Sequence, residues 1–470
     1  MKRSYYLLMA GIMCTILNLY HCSTPPKDPH AVAAELYQVH CQSCHGTAAE
    51  GFIRRAWKMG YSREELMASI TNDNHDAGMS SFSTLLKPEE IASLTDYILV
   101  RMTDTLGSQF DSLGSVFTAG AVTVKLDTVV SGLKNPWGMV FLPSGDLLLT
   151  DRNGMFYRIT PDKQKFNIAG GPVVKEKGQG GLLDVILHPQ FASNNLIYLS
   201  YSKLHPTDTN LSTTAIFRAA LKGDVLENGQ DIFVAEPYQK TAHHFGCRMA
   251  FDTAGYLFVS VGDRGQHIPL LPQNLRTDMG KIHRMYDDGR PVEDNPFFGM
   301  DTARATIWSY GHRNMQGLVF HPETKQLWET EHGPKGGDEV NFIEKGKNYG
   351  WPVICYGINY DGTVLTPFTE KEGMEQPHIY WLPSIGPCGM TFNTSDRYPA
   401  WKGDLLVGSM SFQYLHRCRV ESGRIVKQEK VLEGIGRIRE IEISPDGYIY
   451  IAKELPGYVF KLIPVEQPVM

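Results

Sequence analysis

The chain has 470 residues, a formal net charge of -6, 11% aromatic residues and 45 glycines. The acidic balance and the absence of any basic run exclude nucleic acid as a partner. The length implies two or three domains, or one large domain with an appendage, and the glycine and aromatic content favours a turn-rich β protein.

Lys2 and Arg3, followed by the mostly apolar run Tyr5 to Tyr20, read as an export signal over residues 1–22. The run is too short and too weakly apolar to predict a membrane span. Leu19-Tyr20-His21-Cys22 places leucine three before a cysteine, as a lipoprotein signal does, although histidine directly before the cysteine is atypical. Lipid attachment through Cys22 therefore stays open, and the expected location is periplasmic or lipid-anchored to the cell envelope. Residues 23–30, which include Ser23-Thr24-Pro25-Pro26, form a stiff polar linker.

Residues 31–104 predict a small all-α domain. Ala31 to His40 has helical spacing, with Val32, Leu36 and Val39 on one side, and runs into Cys41-Gln42-Ser43-Cys44-His45. Two thiols three apart followed by an imidazole are what covalent haem attachment needs. Each cysteine bonds one vinyl-derived carbon of the porphyrin, and His45 is held beneath the iron. Zinc would want a second ligand pair nearby, and a redox dithiol would want a βαβ surround; the sequence offers neither.

A sixth ligand from methionine raises the potential of such a haem. Met79, in Asp76-Ala77-Gly78-Met79-Ser80-Ser81-Phe82, lies in an irregular stretch that can present its thioether. Met67 falls in the helical run Arg63 to Thr71 and reads as core, and Met59 precedes Gly60 in a stretch that reads as packing. Pro88 opens a final helix carrying Ile91, Leu94, Ile98 and Leu99 and ending near Met102. Helix, attachment motif, helix, methionine loop, helix: this resembles a class I cytochrome c. The resemblance implies haem c with His45 and Met79 as axial ligands, a packed loop methionine being the alternative for Met79. Such attachment occurs outside the cytoplasm, in agreement with an export signal.

Residues 105–120 are small and polar without periodicity and read as a second linker. From 121 to 466 one phrase recurs: an apolar–x–apolar strand, a Pro/Asp/Gly turn, then a second apolar strand. Six copies are anchored at Phe141, Leu187, Phe251, Phe320, Phe392 and Ile443. One twisted sheet cannot bury both faces alone, whereas six packed radially can. The predicted fold is mainly β, a six-bladed β-propeller preceded by the small all-α cytochrome c domain; a flat sandwich is its rival. Of the cysteines, Cys247, Cys355, Cys388 and Cys418 remain for this domain, and a Cys355–Cys388 bridge is one pairing open to them.

In a propeller the loops at one end of the channel converge. Here they are rich in charge, histidine and glycine: Gly178-Gln179-Gly180-Gly181, His243-His244-Phe245-Gly246-Cys247-Arg248, Gly262-Asp263-Arg264-Gly265, Gly311-His312-Arg313-Asn314, Glu331-His332-Gly333-Pro334 through Glu339, and Gly436-Arg437-Ile438-Arg439. These loops in this order resemble the soluble quinoprotein glucose/sorbosone dehydrogenase family, in its aldose sugar dehydrogenase branch. The resemblance implies pyrroloquinoline quinone (PQQ) and Ca²⁺ as cofactors and oxidation of the C1 hydroxyl of aldoses. By position, His244 resembles the general base, Asp263 the carboxylate that orients it, and Gln179 a pocket amide on the substrate side. Arg313 and Asn314 resemble the pair at the quinone oxygens, and Arg437 and Arg439 the pair facing the cofactor carboxylates. Gly333 and Pro334 resemble the carbonyls that hold Ca²⁺, and Trp381 the aromatic wall for the sugar ring.

Three positions depart from the family pattern. Ser411 stands where the glucose dehydrogenases have a cofactor-contacting lysine, His332 where some members have glutamine, and Cys247 where glycine is usual. The expected function is an exported sugar dehydrogenase that passes electrons to its own haem and then to an external cytochrome, copper protein or oxidase. A cofactor-free propeller serving as a binding platform, and a PQQ dehydrogenase for a non-aldose alcohol or aldehyde such as sorbosone, are the alternatives.

Overall fold

The computed structural model describes residues 29–41, 63–72, 82–83, 85–112, 116–265, 270–359 and 363–465. The export signal, Cys22, Cys44, His45, Met59 and Met79 lie outside the described residues.

Three helices carry the N-terminal domain: α1 (Pro29–His40), α2 (Arg63–Thr71) and α3 (Pro88–Ser112). Pro29 and Pro88 each occupy a first helical position, where no backbone N–H is required. The Glu90 side chain accepts the Lys87 amide at 2.8 Å, which satisfies one of the orphan donors at the start of α3. Tyr37, Cys41, Leu66, Ile70, Leu86, Ile91, Leu94 and Ile98 make the core, with Met67 and Phe82 packed against it. Met67 is thus a packing residue, and Cys41 presents a buried sulfur one residue beyond α1.

α3 extends well past Met102, so the stretch read as a linker over 105–120 is built for the most part: helix to Ser112, then the strand Val116–Ala119. The reason lies in the sequence, where Ile98, Met102, Leu106 and Phe110 recur at helical spacing.

Six antiparallel sheets follow, five of four strands and one of five. Their inner strands are Pro136–Phe141, Leu182–Leu187, Gly246–Phe251, Met315–Phe320, Pro387–Phe392 and Arg437–Ile443. Each anchor residue of the repeat ends one of them. Every inner strand packs on the next in chain order, and the sixth packs on the first. The fold is therefore a closed six-bladed propeller. The ring is clasped by residues from both ends of the domain. The sixth blade takes the strand Val122–Leu133 beside Gly457–Pro464, with Leu126 opposite Leu462, and adds Val116–Ala119 at its edge. Val122 and Val124 share one core with Ile438, Ile451, Phe460 and Leu462.

All six inner strands carry an irregularity two or three residues from their start, at Pro136/Met139, Leu182/Val185, Gly246/Met249, Met315/Gly317, Cys388/Met390 and Ile438/Glu440. A bulge re-aims side chains. Here it turns Asp184, Arg248, Gln316 and Arg439 toward one another: Arg248 ion-pairs with Glu440 and lies 3.4 Å from Asp184, and the Arg439 Nη1 donates to Gln316 Oε1 at 3.2 Å. Cys247, Cys355, Cys388 and Cys418 are all buried free thiols, so no Cys355–Cys388 bridge forms.

Candidate active site

The site occupies the end of the ring where the inner strands begin, and four blades contribute to its first half. His244 precedes the third inner strand with φ +49°, a left-handed conformation uncommon for histidine. Its amide donates to Gln179 Oε1 at 2.8 Å, which ties it to the second blade. Its Nδ1 lies 2.7 Å from Asp263 Oδ1. The same carboxylate oxygen accepts the Gly265 amide at 2.7 Å, and Oδ2 accepts the Trp351 indole N–H at 2.8 Å.

Burial acts to raise the Asp263 carboxyl, but His244, Arg313 and the Gly265 amide outweigh it and hold the carboxyl below its ordinary value. An ionised carboxylate only accepts, so the proton sits on Nδ1 and Nε2 keeps a free lone pair. Burial, then the charge of Arg313, pushes the imidazole below the usual histidine range in spite of Asp263. A neutral imidazole with a bare Nε2 is what a general base requires.

Arg313 is fixed from three sides. Its amide donates to Glu331 Oε2 at 2.5 Å, and its Nη1 donates to the carbonyls of His332 at 2.9 Å and Gly333 at 2.7 Å. Its guanidinium stands over the Trp351 ring at 5.1 Å. Asn314 Oδ1 accepts from Gln316 Nε2 at 3.2 Å and from the Gly246 amide at 3.3 Å. His332 Nε2 lies 2.7 Å from the Pro387 carbonyl, and burial holds this imidazole down to about 3, hence neutral.

The second half is cationic. Arg437 and Arg439, which alternate like an exposed strand face in sequence, are both buried and converge on Glu454. Arg437 Nη1 also donates to the Met410 carbonyl at 3.1 Å, next to Ser411. Burial would raise Glu454, yet Arg439, Arg437 and Arg152 pull it to about 2. Three guanidiniums thus act on this one carboxylate, while Glu176 and Asp151 also act on Arg152.

Trp381 is not at this site. Its strand, Ile379–Trp381, is the outermost of the fourth blade, and its indole is buried in the core shared with the fifth. There its Nε1–H donates to Gln428 Oε1 at 2.8 Å. Strand alternation turns Tyr380 outward instead, stacked on Tyr356 with centroids 3.9 Å apart. Lys335 is exposed. Cys247 adopts φ +77°, where glycine is favoured, with its thiol pushed up to about 12 by burial. It stays protonated and inert.

The sequence reading passed over Trp351, Arg152 and Glu454. Trp351 lies in Asn348-Tyr349-Gly350-Trp351-Pro352, a glycine-flanked aromatic in a loop of hydrogen-bonding residues, which was its available signal. Arg152 and Glu454 end ordinary-looking strands and carried none.

Two places offer metal donors. Gly333 and Pro334 present carbonyl oxygens of the type calcium takes, but Gly333 already accepts the Arg313 cation at 2.7 Å, which competes with a metal ion for that oxygen. Behind this loop, buried His312, Glu329 and Glu331 bring one ligand atom each within 4.8 Å of one another. Glu329 Oε1 and His312 Nδ1 have no hydrogen-bond partner among the described residues. Burial, then the Glu331 charge, pushes Glu329 well up and Glu339 to about 8.

Fold and site together define a closed six-bladed propeller with a paired histidine and carboxylate and a cluster of buried arginines at the same end of the ring. The chain belongs to the glucose/sorbosone dehydrogenase family, whose model matches residues 133–460. Residues 29–98 match the model for the cbb3-type cytochrome c oxidase subunit III, so the N-terminal unit is a cytochrome c domain, which implies haem c. The chain is 38% identical over 361 residues to the aldose sugar dehydrogenase YliI of Escherichia coli (strain K12), covering 75% of this chain and 96% of that one. The structure of soluble aldose sugar dehydrogenase from E. coli in the apo-form superposes with a TM-score of 0.70 at 36% identity, over 73% of this chain and all 100% of the other. The PQQ-bound form of aldose sugar dehydrogenase from Streptomyces coelicolor superposes with a TM-score of 0.60 at 27% identity, over 73% of this chain and 98% of the other.

Proposed function

We propose that the protein is a PQQ-dependent dehydrogenase that oxidises the C1 hydroxyl of aldoses and passes the electrons to its own haem c, which hands them to an external acceptor. The observation that carries this reading is the His244–Asp263 pair at 2.7 Å, set beside Arg313 and within one ring of loops. When bound, PQQ supplies a two-electron acceptor for the hydrogen leaving C1 as hydride. The paired guanidiniums of Arg437 and Arg439, which share Glu454, suit a ligand bearing several carboxylates.

His244 takes the C1 hydroxyl proton on Nε2, and Asp263 stabilises the imidazolium that results. Arg313 and Asn314 place a cation and an amide where negative charge grows on the acceptor. Gln179 holds the His244 backbone and lines the sugar side. For Ca²⁺, the Gly333 and Pro334 carbonyls would be donors by type, with the Gly333 oxygen shared with the Arg313 guanidinium. His45 and Met79 would supply the ligands to the iron of a haem attached through Cys41 and Cys44, and export with lipidation at Cys22 would place the protein at the cell envelope.

The test is to reconstitute purified protein with PQQ and Ca²⁺, add aldoses and follow the reduced-haem absorbance. His244→Ala should abolish sugar-driven reduction, by a factor of about 10² or more, while dithionite still reduces the haem. The cofactor-free platform draws on Ser411 and on the Arg313 grip on Gly333. No sugar-driven haem reduction, together with failure of the folded protein to bind PQQ, would favour it over the dehydrogenase.

A further inference from the structure

Trp351 touches both halves of the catalytic arrangement. Its indole N–H ends on Asp263 Oδ2 at 2.8 Å, and the face of its ring carries the Arg313 guanidinium at 5.1 Å. It is itself locked: its amide donates to the Gly311 carbonyl at 2.8 Å, and its own carbonyl accepts from Gln273 Nε2 at 2.9 Å. Gln273 is held in turn by two bonds with Asn348, of 2.8 and 2.9 Å. This is a rigid donor aimed at the one carboxylate oxygen that His244 does not use.

We infer that Trp351 is a positioning residue for proton transfer, its indole N–H fixing the Asp263 carboxylate so that Oδ1 alone faces His244 Nδ1. The inference rests on the reading of His244 as general base. Asp263 has two oxygens and three N–H neighbours: His244 and Gly265 on Oδ1, and Trp351 on Oδ2. Without the indole, the carboxylate can rotate about its Cβ–Cγ bond and loses a hydrogen bond that withdraws charge. A less stabilised carboxylate attracts the imidazole proton more strongly, so His244 becomes easier to protonate. The groups facing His244 are Asp263, which favours its charged form, and Arg313 and Arg264, which oppose it; His332, close enough to feel the imidazole, is neutral. Removing the indole N–H changes only the Asp263 contribution directly, so the sign of the effect is fixed: upward.

The test is the titration of the His244 imidazole by NMR in the cofactor-free full-length protein, assigned by the signal lost in His244→Gln. Trp351→Phe should raise its midpoint by about one pH unit, the shift expected from losing one charge-assisted hydrogen bond at second hand. In the reconstituted protein the acid limb of kcat/KM should move up with it, and kcat should fall about tenfold with KM little changed. A midpoint that stays or falls in a folded variant overturns the inference. Should Trp351→Phe fail to fold, a benzothienylalanine at 351 keeps the bicyclic shape and deletes only the N–H, and the same criterion applies. In an Asp263→Asn background, Trp351→Phe should add no further shift; a further shift overturns it too. Because the titration needs neither sugar nor cofactor, it decides the role of Trp351 even if the protein proves not to oxidise sugars.

Discussion

The role proposed for His244 turns on the state of one nitrogen, and its surroundings set the sign of its pH response. Burial and Arg313 depress its affinity for a proton, so it is neutral through a wider range than an exposed histidine. Protonation disables the base, so kcat/KM should fall only at a pH below the ordinary histidine value of about 6.5, and be flat above it until another group titrates. A pH–rate profile with sugar-driven haem reduction checks this. His332 makes the matching prediction for stability. Its folded-state value is depressed to about 3, so the stability it contributes is present in full above the unfolded value of about 6.5. That stability is lost as pH falls from there toward 3, because the unfolded chain takes a proton the folded one refuses. Denaturant midpoints measured at pH 7 and pH 4 should differ less in His332→Gln than in the parent protein. At Glu454 the expectation is larger. Glu454→Gln leaves Arg152, Arg437 and Arg439 facing one another without their carboxylate, at a cost of about 3–5 kcal/mol. Added PQQ should restore much of the lost melting temperature if its carboxylates fill the gap.

At the scale of strands, the six irregularities near the start of the inner strands place Asp184, Arg248, Gln316 and Arg439 in one polar network. The blades themselves were legible because each inner strand ends in the same apolar–x–apolar phrase before a turn, a local signal that repeats. The histidine, carboxylate and arginine loops were legible because glycine and charge cluster there in fixed order, and the structure does bring His244, Asp263 and Arg313 together. Trp381 was not, because in a strand of three residues nothing in the sequence decides whether Trp381 or Tyr380 faces inward. The end of α3 was missed because its apolar spacing continues through residues that are individually small and polar. The clasp strand was invisible for another reason, since pairing of Val122–Leu133 with Gly457–Pro464 joins segments remote in sequence. Val124, which is 1% exposed in that strand, gives a test: Val124→Asp would bury an unpaired carboxylate at a cost of several kcal/mol. The propeller should then lose stability as a single unit, seen as one shifted transition by both tryptophan fluorescence and far-UV circular dichroism.

Considered whole, the proposed function joins a sugar-oxidising propeller to a cytochrome c domain whose motif can hold an iron. The two chemistries should separate cleanly. With Cys41 and Cys44 both changed to serine, haem is not retained covalently, yet sugar oxidation with a small artificial acceptor should continue at about the parental rate, within twofold, since the chemistry proposed at C1 uses propeller residues alone. Transfer to a cytochrome or copper protein should be lost. Equal loss of both activities would show that the haem domain supports the propeller rather than serving it as an exit.

The clasp has a consequence for how the molecule is made. Synthesis delivers Val122–Leu133 early and its partner Gly457–Pro464 late. Until that partner emerges, a long strand waits with an open edge on a nearly finished ring, the kind of edge that recruits neighbours on crowded ribosomes. The hairpin with Val116–Ala119 shields one side of it in the meantime. The step that seals the ring also anchors Val116–Ala119 at the edge of the sixth blade, so the first strands of the propeller and its last are locked in a single closing event.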